Sequence, residues 1–568
     1  MLKSKITNHV FIETMRKRGR NAVSHLDEAS RNAVSISEQV ILDILRDNAS
    51  TEYGKKYDFA NIHSIEEYKE KVPFSTYDDY QPYIERMIMN DEEGLITNYP
   101  IMHYALSSGS VGVPKHIPVS QKTLDMYNIY AANMAFGVMG EFFRNTTGKT
   151  FKDGYTLNTL EAVPMITENG LPKGAISGTI LHPHAQHLKY FMTSPAELIF
   201  PEEQMDMKYL KLRFALENRD VVSMVSAFMT GIVDLMTYLE QNWEMLCDDI
   251  EKGIINDDIL ISDETKALFS LSLKPNKSRA DELREEFKKG FDTPIVPRIW
   301  KNFQWLAAIG TGGFAPYTLK MRQYTGKNIP YTMCNYAASE AMMAVARHAG
   351  DESFVLLPDG GFFEFIPMDS DDEETTYTLD QLEAGKDYEI VVTNLSGLYR
   401  YKIKDVVRVT GFYHEAPLIQ FVYRKNQMLF IAGEKTNEEA IRWSIDKFQE
   451  DTGLFIRDFS VFADTSSEPG KYVVLMEPDK DVDPSKMAEY RDIIENRISE
   501  ANPSFETKVR SNILARTKLC MTQQQTYMLY RDMMIMKGVS PNQLKPVRVI
   551  DTPVKEKFFF NLLENEIE

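Results

Sequence analysis

The sequence predicts a mixed α/β protein whose large N-terminal part is followed by a small α+β domain. Three observations predict it. At 568 residues the chain lies far beyond the size at which one core keeps growing, so two or more domains are expected. Apolar positions recur at helical spacing through the first hundred residues and give way to strand-like runs broken by Gly and Pro. After Arg424 the texture changes again, to short strands alternating with amphipathic helices.

In chain order, SEQVILDILRDNA reads as an amphipathic helix, and VPFSTYDDYQPYIERMI as a turn followed by a helix opened by Ser75 or Thr76. From about Tyr155 to Phe200, strand-like runs are interrupted by Gly and Pro, whereas Asp220 to Ile255 reads as helical. Within that stretch Val221–Leu239 is apolar for about one bilayer span, but it contains Asp234 and is read as a buried helix. Between Pro294 and Val345 apolar runs alternate with Gly-rich turns. SFVLLPDGGFFEFIPM then reads as a hairpin turning at Asp359-Gly360-Gly361. The acidic run Ser370–Glu374 reads as a solvated loop, and YEIVVTNLSGLYRYKIKDVVRVTGFY as three short strands with a turn at Ser396-Gly397.

QMLFIAG reads as a strand, NEEAIRWSIDKFQED as a helix, and FSVFADTSSEPGKYVVLMEP as a hairpin turning at Pro469-Gly470. Asp483 and Pro484 cap the next helix. The boundary between domains is expected near residues 423–436, which divides the chain into 1–424 and 425–568.

The formal charge of -19, from 64 Lys+Arg against 83 Asp+Glu, argues against nucleic acid and anionic membranes, which require a basic footprint. Cys247, Cys334 and Cys520 lie far apart and form no disulfide or metal pattern, which fits a reducing cytoplasm. The segment MLKSKITNHVFIETMRKRGR is basic and lacks the apolar stretch of a secretory leader.

Several short motifs carry chemistry. SSGSVGVPK, Ser107 to Lys115, places hydroxyls of Ser107, Ser108 and Ser110 and the bare backbone of Gly109 beside one lysine, as phosphate binding requires. It is not a Walker A loop, and a surface turn is the alternative. GTGGFA, Gly310 to Ala315, follows the strand-like WLAAI and matches G-x-G-x-x-A, but Pro316 interrupts the expected helix and no clear acidic partner follows. HPHAQH gathers three histidines without a Cys or carboxylate pair and is read as a loop with incidental imidazoles. NYAASE ends a strand with the lone carboxylate Glu340, suited to Mg²⁺ together with substrate oxygens. GLYRYKIKDV puts Asp405 at a strand end, where it could accept both hydroxyls of a ribose. The plain alternative for either carboxylate is a surface salt bridge.

Taken in this order, these stretches resemble the adenylate-forming superfamily, and within it the plant auxin-responsive (Gretchen Hagen) acyl acid amido synthetases and their bacterial relatives. SSGSVGVPK resembles the [ST]SG[ST]TGxPK phosphate loop and YAASE the YGxTE motif. SFVLLPDGGFFEF, GLYRYKIKDVVRVTGF, FVYRKNQMLFIAGEKTNEEA and NQLKPVR extend the likeness over nearly the whole chain. The resemblance implies a large N-terminal domain of mixed β-sheets and a β-barrel flanked by helices, with a small mobile C-terminal α+β domain. It implies ATP and Mg²⁺, with Ser107, Ser108, Gly109 and Ser110 on the phosphates, Tyr336 against adenine, Glu340 on Mg²⁺ and Asp405 on the ribose. Arg424 and Lys435 would approach the α-phosphate, and Lys545 would swing in for adenylation. Three positions depart from the pattern: Val111 for Thr in the loop, Lys404 for Gly before Asp405, and Glu434 for Asp before Lys435.

The activity so implied is adenylation of a carboxylic acid followed by transfer to an amine, most simply an amino acid. The expected partners are those two small molecules, with no nucleic acid and no membrane, and the chain is expected to act as a monomer. An acyl-CoA ligase using the same adenylate is the nearest alternative. A nucleotide-binding protein without turnover and a dehydrogenase built on GTGGFA stand further off.

Overall fold

The computed structural model describes residues 2–107, 115–163, 165–311, 314–333, 335–369, 374–425, 429, 431, 434, 436–539, 541 and 544–567, without the side chains of 2–5, 107 and 316. The chain divides into two compact units. The first comprises Met1–Ile309, Met321–Ile403 and Val407–Gln420, the second Gly310–Lys320, Lys404–Val406 and Phe421–Glu568.

The first unit opens with helices, as the periodicity predicts: Leu2–Arg31, Ala33–Asn48 and three shorter ones ending with Tyr77–Met89. Thr76 opens the last of these with a capping box, its backbone N–H donating to Asp79, so two orphan amides of the first turn are satisfied reciprocally. These helices are fastened to a distant strand. Ser75 donates its N–H to Arg400 O at 3.0 Å and receives Lys402 N–H at 2.9 Å. Tyr53 stacks on Tyr399 with ring centroids 4.9 Å apart and on Tyr80 at 5.6 Å. Behind them the buried Arg400 guanidinium forks onto both Glu364 oxygens at 2.9 and 3.0 Å and donates to the carbonyls of Lys69 and Val72.

Among the described residues three sheets fall mainly in this unit. One runs Lys115–Ser120, Ile101–Ser107, Pro172–Gly174, Met165–Ile166. A second, parallel throughout, runs Tyr155–Asn158, Val221–Phe228, Trp305–Ile309, Tyr331–Thr332. The largest has seven strands in the order Phe362–Pro367, Asp387–Thr393, Tyr401–Tyr413, Ala416–Arg424, Phe354–Leu356, Met342–Val345, Asn335–Ala337.

Several expectations are corrected. Val221–Leu239 is not one buried helix: Val221–Phe228 is a central parallel strand and the helix begins at Met229. A strand buried on both faces carries the same unbroken apolar run as a buried helix. Phe354–Leu356 and Phe362–Pro367 do not pair as a hairpin, since the first lies against Ile419 and Leu418 and the second against Asp387–Thr393. The glycines between them serve close approach instead: a Cβ on Gly360 would stand 2.7 Å from Met342 O, and one on Gly361 2.9 Å from Thr393 O. YEIVVTNLSGLYRYKIKDVVRVTGFY forms two strands rather than three, the second unbroken over Tyr401–Tyr413. HPHAQH is no loop but a 3₁₀ turn, His182–His184, followed by the helical turn Ala185–Leu188. Pro316 does not interrupt the helix after WLAAI, which runs Ala315–Thr325 through it. Of the acidic run expected as a loop, residues 370–373 lie outside the described residues. No helix among the described residues is long and apolar enough to cross a membrane.

The second unit carries a four-stranded sheet, Ile456–Asp464, Lys471–Pro478, Lys518–Thr522, Leu563–Ile567, whose first two strands form the expected hairpin before Pro469-Gly470 and after it. Helices Glu438–Thr452 and Met487–Ala501 pack on it through Ile441, Ile445, Phe448, Ile494 and Ile498. Asn437 caps the former by accepting from Ala440 N–H, and Asp483 caps the turn before the latter. QMLFIAG falls mostly outside the described residues; Leu429 makes an isolated bridge to Thr436.

Candidate active site

The strands Ile101–Ser107 and Lys115–Ser120 pair antiparallel, with Ser107 opposite Lys115 at the last rung. Ser108, Gly109 and Ser110 lie between those ends, outside the described residues, and Ser107 is described in its backbone alone. The other end of this pair is fastened to a distant turn. Buried Ser120 donates its hydroxyl to Leu395 O at 2.5 Å, and its N–H goes to Ser396 Oγ at 2.9 Å. Ser396 also shares a hydrogen bond of 2.8 Å with Thr123, in the helix that Ser120 caps. Within the same turn Asn394, 1% exposed, accepts the amides of Ser396 and Leu398 at 2.8 and 2.9 Å. Its side-chain amide donates to Glu340 O at 2.7 Å. A continuous run of hydrogen bonds therefore joins the strands that carry the phosphate-loop motif to the backbone of Glu340, two elements more than 200 residues apart in the chain.

Gly397 makes that turn possible. Its φ is +100°, and a Cβ there would stand 2.9 Å from Ile96 O.

Tyr336 sits on the terminal strand of the largest sheet, opposite Ala344, half-buried with its ring 6.1 Å from that of Phe354. Glu340 follows that strand by three residues and is half-buried. Beneath it, burial and then the negative charge of Glu340 push the phenol of Tyr127 well above its ordinary value.

In the second unit Arg424 donates its Nε–H to Asp405 Oδ1 at 2.6 Å. Asp405 is not at a strand end but in the middle of Tyr401–Tyr413, and the pair is no surface salt bridge, because Asp405 is 2% exposed. Lys404, the residue standing where the resemblance implies Gly, has φ +65°, the left-handed region that glycine enters without steric cost. Lys435 lies outside the described residues. Its neighbour Glu434 is buried, accepting from Tyr472 Oη at 2.6 Å and from Ile431 N–H at 2.9 Å, while Asn502 donates to Glu434 O and to Thr436 Oγ1. Lys545 is exposed, and its charge reaches the buried carboxyl of Glu438, which burial raises and Arg548, Arg442 and Lys545 in turn lower.

Sequence reasoning assigned no role to Ser120, Ser396 or Asn394. The one signal for them was the Asn-x-Ser-Gly run, whose residues satisfy turn amides from their own side chains.

Known proteins match this chain over most of its length. The GH3 family N-terminal domain matches residues 22–330, the GH3 central domain 354–424 and the GH3 C-terminal domain 439–554. The chain belongs to the GH3 family. A jasmonoyl–L-amino acid synthetase, GH3.5 of Oryza sativa subsp. japonica, is 28% identical to this GH3 chain over 93% of it and 94% of the rice protein. The solved structure of the GH3.15 acyl acid amido synthetase superposes with a TM-score of 0.84 at 26% identity, covering 96% of both chains. A 2-hydroxyisobutyryl-CoA ligase in its postadenylation state shares the fold alone, with a TM-score of 0.52 at 11% identity over 94% of this chain and 92% of that one.

Proposed function

We propose that this GH3 chain joins a carboxylic acid to an amino acid: ATP first converts the acid to an acyl-adenylate, and the amine then displaces AMP to leave an amide. The observation that carries this reading is the hydrogen-bonded run from Ser120 through Ser396 and Asn394 to Glu340. It fixes the backbone that carries Glu340 relative to the strands that bear SSGSVGVPK.

A carboxylate resists attack because its charge repels nucleophiles and oxide leaves poorly. In adenylation its oxygen attacks the α-phosphorus and pyrophosphate departs, so the barrier is the approach of anions, and positioning with fixed positive charge dominates catalysis. Ser107, Ser108, Gly109 and Ser110 would hold the phosphates and Tyr336 would lie against the adenine. Asp405, kept in place by Arg424, would accept the ribose hydroxyls. Lys435 and Lys545, with Arg424, would offset charge at the α-phosphate.

Glu340 suits Mg²⁺: it is a hard oxygen donor, half-exposed, on a backbone pinned by Asn394. Among the described residues no three His, Cys, Asp or Glu side chains converge on a metal position, so Glu340 would share the ion with phosphate oxygens. When bound, the ion neutralises charge on those phosphates.

Residues 425–568 would act as a lid over an N-terminal domain of residues 1–424, bringing Lys545 in for the first step and withdrawing it for the second. The protein is taken to work as a monomer in a reducing cytoplasm.

Exchange of labelled pyrophosphate into ATP, run with aromatic, aliphatic and hydroxy acids and Mg²⁺, tests the first step. Adding amino acids or coenzyme A and weighing the products tests the second. No exchange with any acid would overturn the reading, and a thioester in place of an amide would change the acceptor.

A further inference from the structure

Lys545 stands on a stretch whose attachment is unusually well defined. Val461 N–H donates to Arg548 O at 2.8 Å and Ile550 N–H to Val461 O at 2.9 Å, so residues 548–550 run parallel beside the strand Ile456–Asp464. Ser460 Oγ adds a hydrogen bond to Val547 O. Between this ladder and Lys545 lie only Pro546 and Val547, and the Pro546 ring fixes its own φ and biases Lys545 toward extended backbone. Three residues span at most about 10 Å, so displacement of the ladder reaches Lys545 almost undiluted.

What holds the ladder is polar and buried. The guanidinium of Arg548, 5% exposed, donates to Asp458 Oδ1 and to Phe459 O at 2.7 Å and lies 4.2 Å from the Phe459 ring centroid. The other Asp458 oxygen receives the hydroxyl of Tyr317, which in turn accepts from Arg531 at 3.1 Å. Glu438, half-buried, stands 3.8 Å from Arg548 Nε. A hydrophobic residue at 548 would fill the space. The guanidinium adds direction, because the two N–H groups of its single Nη1 lie in one plane and can meet the Asp458 oxygen and the Phe459 carbonyl at only one height along the strand.

We infer that Arg548 is a positioning residue for Lys545: the buried Arg548–Asp458–Tyr317 group sets where the Lys545 ammonium stands during adenylation. This rests on the ligase reading and adds a residue to it. The group belongs to adenylation alone, since Lys545 has no part in amide formation from a finished acyl-adenylate.

Arg548→Met, which keeps length and loses the Nη1 donors, tests this. Acid-dependent pyrophosphate release is expected to fall about 100-fold, the cost of misplacing a catalytic group by about an ångström. Amide formation from a supplied acyl-adenylate should stay within about 3-fold of the parent. Lys545→Ala combined with Arg548→Met should be no slower than Lys545→Ala alone, because both act on one group. Hydrogen exchange over residues 544–550 should quicken.

Equal losses in both half-reactions, a double variant slower by the product of the two singles, or unchanged exchange over 544–550 would each overturn the inference. Should Arg548→Met fail to fold, Tyr317→Phe keeps the ion pair and removes one donor. A fall of about 3- to 10-fold confined to pyrophosphate release supports the inference there, and no change refutes it. If the parent releases no pyrophosphate with any acid, the ligase reading falls, while the exchange measurement still decides whether Arg548 holds the stretch that carries Lys545.

Discussion

Replacing Asn394 by Ala removes a buried side chain that serves three backbone groups at once. The amides of Ser396 and Leu398 lose their acceptor, and Glu340 O loses a donor. Leaving a buried amide without an acceptor costs about 1–3 kcal/mol, and losing one further hydrogen bond about 1 kcal/mol. Since Asn394, Ser396 and Leu398 are all at most 1% exposed, water offers little compensation, and a loss of about 4 kcal/mol is expected on chemical denaturation.

Asn394→Asp separates the contributions. Its carboxyl still accepts from both amides, but when ionised it sets an acceptor against Glu340 O across the former 2.7 Å hydrogen bond. Burial and that facing oxygen raise the introduced carboxyl above its unfolded value of about 3.9. The folded variant therefore binds the extra proton, and its stability declines as pH rises from about 4 through that raised value, whereas the deficit of Asn394→Ala stays flat. Near neutral pH both variants should need about 10-fold more Mg²⁺ for half-maximal pyrophosphate release, because the backbone of Glu340 is no longer pinned. An Asn394→Ala protein within about 1 kcal/mol of the parent, with unchanged Mg²⁺ demand, would refute the reasoning.

Three further outcomes are expected. Lys404→Gly should stabilise by about 0.5–1 kcal/mol, since a left-handed non-glycine residue costs about 1–2 kcal/mol and a strand glycine returns part of it. Lys404→Ala, which keeps a Cβ, should show no such gain, and a destabilised glycine variant would count against backbone strain there. Lys545→Ala should lower acid-dependent pyrophosphate release by about 10²- to 10³-fold with an unchanged melting temperature, and near-normal release would remove Lys545 from the mechanism. Burial first, and then the charge of Asp458, raises Glu477 from 4.5 to about 7 against the amides of Tyr527 and Gln525 that favour its charged form. The native state thus holds an extra proton between those values, and stability should fall by on the order of 3 kcal/mol as pH rises from about 4.5 to about 7. Glu477→Gln should flatten that slope in melting curves, and a slope unchanged by it would assign the effect elsewhere.

Features whose causes lie within a few residues were readable in the sequence. The Thr76 cap, the Asp483 cap and the turn at Pro469-Gly470 each need only local side chains or a local backbone shape. Features settled by a distant partner were not. Val221–Phe228 has no period to betray it, because its neighbours Tyr155–Asn158 and Trp305–Ile309 place it at the centre of a sheet. The glycines at 360 and 361 signal a hairpin until Met342 O and Thr393 O are seen pressing against them. Asp405 is recognisable as a motif residue, but its mid-strand place and its hydrogen bond to Arg424 depend on the adjoining strand. The carboxylates and lysines of the candidate site could be picked out by type and order. Asn394 and Arg548, which hold them, are ordinary polar residues until their partners are known.

The stack of Tyr53, Tyr80 and Tyr399 bears on how the chain can be made. Ser75 meets its acceptor Tyr399 O across 324 residues of sequence, and Arg400 closes over Lys69 and Val72 from equally far away. At translation rates of about 5–20 residues per second, the opening helices leave the ribosome tens of seconds before the strand that completes their core. Through that interval their apolar faces wait unmatched, so a fragment of the first hundred residues should behave as a client of chaperones rather than as a domain, and the order of synthesis leaves this end of the protein to finish folding late.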